Sequence, residues 1–211
     1  MKKKKYLILA ILTTIVSVIY TMIVKYIDVK AIGPKGSKVG LASLNASFKN
    51  IVGSHMKIYK ITEVLGLVTL LIVGIYGIIG LIQLIKRKSI KKVDKEIITL
   101  GILYVMMGLV YVFFEKCVVN YRPILLDGVL EASYPSSHTI LSICICISSI
   151  IVSKKYLKNT TVTNILTTML LFGVLFGRLF SGAHWLSDII GGFLISLTLI
   201  SYFNLIYNYK K

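Results

Sequence analysis

Charged residues are scarce in this chain of 211 residues. Asp, Glu, Lys and Arg together make up 16% of the sequence, whereas hydrophobic residues make up 56%. A soluble globular domain carries about a quarter of charged residues. The scarcity of charge therefore excludes an ordinary water-soluble domain and points to the lipid bilayer.

Cysteine is also sparse, with three residues. Cys144 and Cys146 fall inside one apolar run, and two positions apart on a helix they face different directions. A disulfide between them is therefore not expected, and both are predicted to be buried as small hydrophobic side chains.

Acidic residues number only 8 against 25 Lys and Arg, which gives a net charge of +17. A basic balance often marks a protein that binds nucleic acid. Here most of the lysines lie in short clusters beside apolar runs, as expected of residues that fix membrane orientation and meet anionic lipid head groups. The pattern favours a membrane partner and no nucleic acid.

Long apolar runs supply what a membrane protein needs. A helix crosses the hydrocarbon core with about 20 apolar residues. The first run begins like a signal peptide, but its length and the lack of a small-residue cleavage site favour an uncleaved span. The runs predict a single all-α domain over residues 1–211, a bundle of six transmembrane helices at about 6–24, 64–85, 97–114, 138–153, 162–177 and 189–207.

The long connection between the first two spans, residues 25–62, is polar and contains glycine. Apolar residues at roughly helical spacing within it predict a short amphipathic segment, either a helix lying on the membrane or a partly ordered surface loop. His55 lies in this connection without a partner motif and is expected to be an ordinary surface histidine.

Positive charge predicts the orientation of the bundle. The amino end, the second-to-third loop, the fourth-to-fifth loop and the carboxyl end hold 15 of the 25 basic residues in short segments, so both termini are predicted to be cytoplasmic. The first long loop opposes this with seven lysines, which are spread over nearly forty residues.

Three polar clusters then fall on the predicted outer face, at the ends of spans that can pack together. Arginine holds phosphate oxygens in a bidentate manner and lysine adds a mobile positive charge. Two arginines and a lysine beside two histidines therefore predict an oxyanion site. The clusters are Lys116 with Arg122 and Pro123, then Pro135, Ser136, Ser137 and His138, then Arg178, His184 and Asp188.

The second and third clusters add specific chemistry. Ser136, Ser137 and His138 are expected at the start of a helix, where free backbone N–H groups attract phosphate, although a serine cap without a ligand gives the same pattern. His184 and Asp188 are four residues apart and would share a helix face, so that the carboxylate orients the imidazole and one ring nitrogen stays free to attack. An ion pair at the membrane surface is the alternative. Binding of zinc by the two histidines and the aspartate is disfavoured, because the surrounding cationic side chains would repel the metal ion.

These residues resemble the type 2 phosphatidic acid phosphatase superfamily, the membrane lipid phosphate phosphatases. That family carries K-x6-R-P, P-S-G-H and S-R-x5-H-x3-D in this order. Arg122-Pro123 matches the first element, residues 135–138 match the second with Ser137 in place of glycine, and residues 177–188 match the third with Gly177 in place of serine. Lys116 departs from the pattern, since it precedes Arg122 by six positions where the family has seven.

The resemblance implies a role for each matched residue. His184 would be the nucleophile that forms a phosphohistidine, Asp188 would orient it, and His138 would protonate the leaving group and then activate water. The phosphoryl oxygens would be held by Arg122, Arg178, Lys116, Ser136 and Ser137. No metal and no cofactor are implied.

The leading hypothesis is a membrane phosphatase that hydrolyses a lipid phosphomonoester or diphosphate at the outer leaflet. The candidate substrates are of the phosphatidic acid, phosphatidylglycerophosphate or polyprenyl diphosphate type. A phosphotransferase with the same site is an alternative. A transporter or structural subunit is another, although the spans hold almost no ionisable residues that would line a transport route.

Overall fold

The computed structural model describes residues 2–208 of the chain, with side chains from residue 4 onward, so Lys210 and Lys211 of the orientation argument lie outside the described residues. The described part is all-helical and contains no strand, which confirms the predicted fold class. Its α-helices are α1 Lys2–Tyr26, α2 Ala42–Val52, α3 Met56–Arg87, α4 Lys95–Lys116, α5 Ser137–Tyr156, α6 Thr161–Ser181 and α7 Leu186–Tyr207.

Six of these helices, all except α2, are long and apolar enough to cross a membrane. The protein is thus a multi-pass membrane protein, and every predicted span corresponds to one helix. Two helices extend well beyond their predicted spans. With 32 residues α3 is about 48 Å long, more than the hydrocarbon core requires, and its first turns were predicted to be loop. Likewise α6 continues to Ser181, four residues past its predicted end.

Helices α5 and α7 lie at the centre of the bundle. Within their most apolar segments 61% of α5 and 50% of α7 is buried in the protein, against 17–22% for the other spans. The peripheral helices therefore expose most of their apolar side chains to the lipid. The buried core includes Leu100, Ile140, Cys144, Leu199 and Phe203.

Small residues allow the central helices to approach closely. A Cβ atom added to Gly192 of α7 would lie 2.9 Å from the carbonyl oxygen of Ser136 and 3.0 Å from Cβ of Thr139. The start of α5 is thereby pressed against α7. Cys144 and Cys146 are buried in α5 as free thiols, as the sequence predicted.

The amphipathic segment predicted in the first long loop is the helix α2. It packs against α7, and its buried Asn45 donates to the backbone oxygen of Gly40 at 2.8 Å and to Oγ of Ser187 at 2.9 Å. The loop is therefore a folded cover over the start of α7. His55 is exposed and immediately precedes α3.

The helix ends bring the three polar clusters to one end of the bundle. This end contains the last turns of α4 and α6 and the first turns of α3, α5 and α7. At the opposite end, Asp94 accepts hydrogen bonds from Arg87, Gln83 and Tyr156, and Lys155 pairs with Glu96. These ionic contacts bind α3, α4 and α5 together where the loops are short.

Candidate active site

His184 lies in the short connection between α6 and α7 and is almost completely buried. Its Nδ1 is 3.1 Å from the backbone oxygen of Ser133. Because a carbonyl oxygen only accepts, Nδ1 carries the proton and Nε2 presents a lone pair. That lone pair accepts a hydrogen bond from NH1 of Arg122 at 3.1 Å.

The surroundings of His184 favour its neutral form. Burial, with a smaller contribution from the positive charge of Arg122, lowers the pKa of His184 from 6.5 to about 4, and Asp188 opposes this shift. At neutral pH the ring is therefore uncharged, with Nε2 available as a nucleophile or as a base.

Asp188 is fully buried in the first turn of α7 and has several partners. Its Oδ2 accepts the backbone N–H of Trp185 at 3.0 Å and lies 3.7 Å from Nδ1 of His184. Its Oδ1 accepts from Nδ2 of Asn120 at 3.2 Å and from Oγ of Ser187 at 3.4 Å. The expectation that His184 and Asp188 share a helix face is wrong, because Asp188 caps the helix and α7 begins only after His184.

Arg122 lies in the loop between α4 and α5. Its Nε donates to Oε2 of Glu131 at 3.0 Å, and NH1 also reaches the backbone oxygen of Ala183 at 3.4 Å. The Arg122 side chain is 11% exposed, whereas that of Glu131 is 44% exposed. The guanidinium is thus fixed beside His184 by one carboxylate, one carbonyl and the imidazole itself.

Arg178 and His138 form a second group, together with Glu63 of α3. The fully buried Arg178 donates through NH2 to Oε1 of Glu63 and stacks over the ring of Tyr59 at 4.9 Å. The same Oε1 lies 3.6 Å from Nε2 of His138. The sequence placed Arg178 in a loop, which is wrong, since α6 continues through it and directs its side chain toward α3.

Ser136 and Ser137 form the start of α5. The expectation that the backbone N–H of Ser136 is free is wrong, because it donates to the backbone oxygen of Asp188 at 3.0 Å. This bond joins the second motif to the third. The N–H groups of Ser137 and His138 follow in the first turn, where a helix has no partners of its own to offer.

Lys116 is the last residue of α4, and its side chain is exposed. Among the described residues, no hydrogen bond or ion pair joins the Lys116 side chain to the site. Its contact with phosphate therefore stays a prediction. The position seven residues before Arg122 is occupied by Glu115, which lines the cavity described next.

A cavity of about 840 Å³ opens beside His184 and runs between α3, α4 and α5. Its polar end is formed by Arg122, Ser137, Glu131 and His184. His138, Arg178 and Glu63 do not line the cavity, but Arg178 is close enough to His184 for its charge to lower the pKa of that imidazole. Its remaining walls are mostly apolar and include Leu70, Val73, Met107, Phe114, Ile140, Leu141 and Ile145.

Several residues of the site were missed by the sequence analysis. Glu63, Ser133 and Asn120 stand outside the motifs, and Ser133 acts through its backbone, which no side-chain pattern reveals. Glu63 immediately precedes the second predicted span, and a carboxylate at the end of an apolar run is itself an unusual feature. Within residues 2–208, no group of three His, Cys, Asp or Glu side chains is placed to hold a metal ion.

Comparison with known proteins supplies an independent view of this arrangement. The sequence model described as the PAP2 superfamily matches residues 72–211. Among solved structures the chain is similar to one described as the "first transmembrane PAP2 type phosphatidylglycerolphosphate phosphatase from Bacillus subtilis". The TM-score is 0.64 at 15% identity, over 96% of this chain and 98% of the other, a likeness that concerns the fold. No curated protein matches the sequence.

Proposed function

The chain belongs to the PAP2 superfamily, and from this premise we propose that it is a membrane phosphatase that hydrolyses a lipid phosphomonoester or diphosphate through a phosphohistidine. Family membership and the shared membrane fold support the broad class, a phosphatase acting on lipid phosphates in a bilayer. The covalent intermediate, the roles of the residues and the side of the membrane are the proposal.

The observation that carries the proposal is the setting of His184. A neutral imidazole whose Nδ1 is fixed by the Ser133 carbonyl can attack only through Nε2. That atom faces a guanidinium at the polar end of a largely apolar cavity. Positive charge beside a nucleophile is what phosphoryl transfer requires, since the transition state spreads negative charge over the phosphoryl oxygens.

The reaction then takes two displacements. In the first, Nε2 of His184 forms a bond to phosphorus while the bond from phosphorus to the lipid oxygen breaks, and His138 gives its proton to the departing oxygen. In the second, His138 takes a proton from water, the resulting hydroxide attacks phosphorus, and the bond to Nε2 breaks with release of phosphate. The phosphoryl oxygens are held by Arg122, Arg178 and the amides of Ser137 and His138. The carboxylate of Asp188 places negative charge beside Nδ1 of His184.

The cavity supports a lipid as the substrate. Its apolar walls accept a hydrocarbon chain while Arg122, Ser137 and His184 hold the phosphate at its polar end. We place this end at the outer leaflet, on the argument that the opposite end bears the dense basic loops expected on the cytoplasmic side.

The test is phosphate release by the detergent-solubilised chain from phosphatidic acid, phosphatidylglycerophosphate and a polyprenyl diphosphate, each with and without a chelator. We expect release from at least one of them, unchanged by the chelator and abolished in His184→Ala. His55→Ala is the matched control, because it removes an exposed histidine outside the site. Rapid mixing with radiolabelled substrate is expected to trap a label on protein that is stable in base and absent from His184→Ala.

Three outcomes contradict the proposal. They are no release from any substrate, activity that survives His184→Ala, and activity lost on chelation. Transfer of the phosphoryl group to another lipid in place of water, detected by product analysis, would identify a phosphotransferase with the same site.

A further inference from the structure

Glu63 occupies the position where an anion would bind Arg178. The guanidinium of Arg178 is fully buried, and its Nε and NH1 atoms have no hydrogen-bond partner among the described residues. Only NH2 is engaged, by Oε1 of Glu63. A buried guanidinium with two vacant donors is prepared for an anion, and one carboxylate oxygen already satisfies its third nitrogen.

The same oxygen atom also faces the second histidine. Oε1 of Glu63 lies 3.6 Å from Nε2 of His138 while it bonds to Arg178. In the proposed reaction, Arg178 binds a phosphoryl oxygen and His138 protonates the lipid oxygen that leaves the same phosphorus. A carboxylate oxygen and a phosphoryl oxygen have similar size and charge, so they compete for this position.

Glu63 is free to leave this position, whereas its partners are not. The Glu63 side chain is 42% exposed, against 0% for Arg178 and 22% for His138. Gly66, one turn further along α3, keeps that helix close to His138, since a Cβ atom there would lie 2.7 Å from the imidazole ring. Rotation of the Glu63 side chain therefore opens the position without movement of either helix.

From this geometry we infer that Glu63 is a built-in competitor of the substrate phosphate, a carboxylate that fills an oxygen position between Arg178 and His138 and is displaced when a phosphoryl group binds. The inference rests on the proposed function. It makes Glu63 a residue that sets phosphate affinity and lies outside the three motifs, at a position before the matched family range.

The experiment measures binding of inorganic phosphate and orthovanadate to the purified full-length chain by titration calorimetry. Glu63→Gln keeps the shape of the side chain and an oxygen that accepts from Arg178, but removes the charge. We expect both anions to bind about tenfold more tightly, the effect of removing one screened unit charge beside a multivalent anion. Glu63→Asp keeps the charge but withdraws it by one methylene, so tightening between the wild-type and Gln values is expected.

Glu96→Gln is the matched control, because it makes the same change of charge at the opposite end of the bundle, where Glu96 pairs with Lys155. It is expected to bind both anions as the wild type does. Unchanged or weaker binding in both Glu63 variants would overturn the inference and identify Glu63 as a fixed support for Arg178.

A wild-type chain that hydrolyses lipid phosphates, with no tightening in either Glu63 variant, refutes this inference and leaves the proposed function standing. A wild-type chain that neither binds the two anions nor hydrolyses any lipid phosphate refutes both. Retention of the wild-type melting temperature in detergent identifies the variants whose fold is intact.

Discussion

Direct titration of His184 tests the chemistry of the proposed nucleophile. With a pKa of about 4, the ring is roughly 97% neutral at pH 5.5, whereas an ordinary histidine of pKa 6.5 is only roughly 9% neutral there. We therefore expect protonation of His184 to leave the activity intact down to about pH 5. Protonation below that range removes the lone pair from Nε2 and ends the reaction.

Arg122→Gln is the perturbation that separates the causes of this shift. The guanidinium lies 3.1 Å from Nε2, so its removal takes away a charge that opposes imidazolium formation. Burial is the larger cause and remains in the variant. A neighbouring charge shifts a pKa by on the order of one pH unit. The pKa of His184 is therefore expected to rise by about that amount in Arg122→Gln while staying below 6.5.

The measurement is an NMR titration of chain labelled with ¹³C and ¹⁵N in histidine. The chain contains only three histidines, and His55→Ala and His138→Ala assign the signals. The ¹⁵N shifts also report whether Nδ1 carries the proton, as the Ser133 carbonyl requires. A wild-type His184 that titrates near 6.5, or a pKa that falls when Arg122 is replaced, would refute the reasoning.

Three further variants test how the site is supported. Asn120→Ala removes one donor to the buried Asp188 carboxylate and leaves the buried backbone N–H of Gly40 without its acceptor. We therefore expect a loss of about 2–4 kcal/mol in stability and at least tenfold in kcat, measured by denaturation and steady-state kinetics; unchanged stability and kcat would contradict a positioning role. Gly66→Ala is expected to lower kcat by displacing the ring of His138, whereas Gly74→Ala on the same helix, whose added Cβ meets nothing and does not line the cavity, should leave kcat unchanged. Lys116→Ala is expected to change KM less than about threefold, because an exposed charge is strongly screened; a larger rise in KM would show that Lys116 reaches the phosphate.

The sequence predicted the layout of this protein well because a bilayer imposes a simple rule. Each span must be long and apolar, so all six could be recognised from composition alone, and the amphipathic loop segment followed from its spacing. Helix ends were less predictable, because α3 and α6 continue outside the apolar runs. There, hydrogen bonding rather than hydropathy determines where the helix begins or ends. The misplacement of Arg178 follows from this, because a helix that ends at 177 cannot contain it.

The support of the site could not be predicted for a different reason. Motifs record side chains at fixed spacing, but His184 is oriented by the backbone oxygen of Ser133. Ser133 is in turn held by two hydrogen bonds to the backbone oxygen of Asn120, thirteen residues earlier in the sequence. Asn45 and Ser187 meet only when the first loop folds over α7. Such contacts depend on tertiary packing, and nothing in the local pattern around Asn45 distinguishes it from a surface residue.

The pairing of charges explains how two buried arginines are accommodated at one end of a membrane bundle. Arg178 is fully buried and Arg122 nearly so, and a buried cation without a counterion would destabilise the fold. Glu63 and Glu131 neutralise them, and both carboxylates are more than 40% exposed. If Glu63 competes with the substrate phosphate as proposed, the ion pair that stabilises the buried Arg178 also lowers the affinity for phosphate. A lipid substrate eases this conflict, since burial of its chain in the apolar cavity adds binding free energy that the phosphate contacts need not provide.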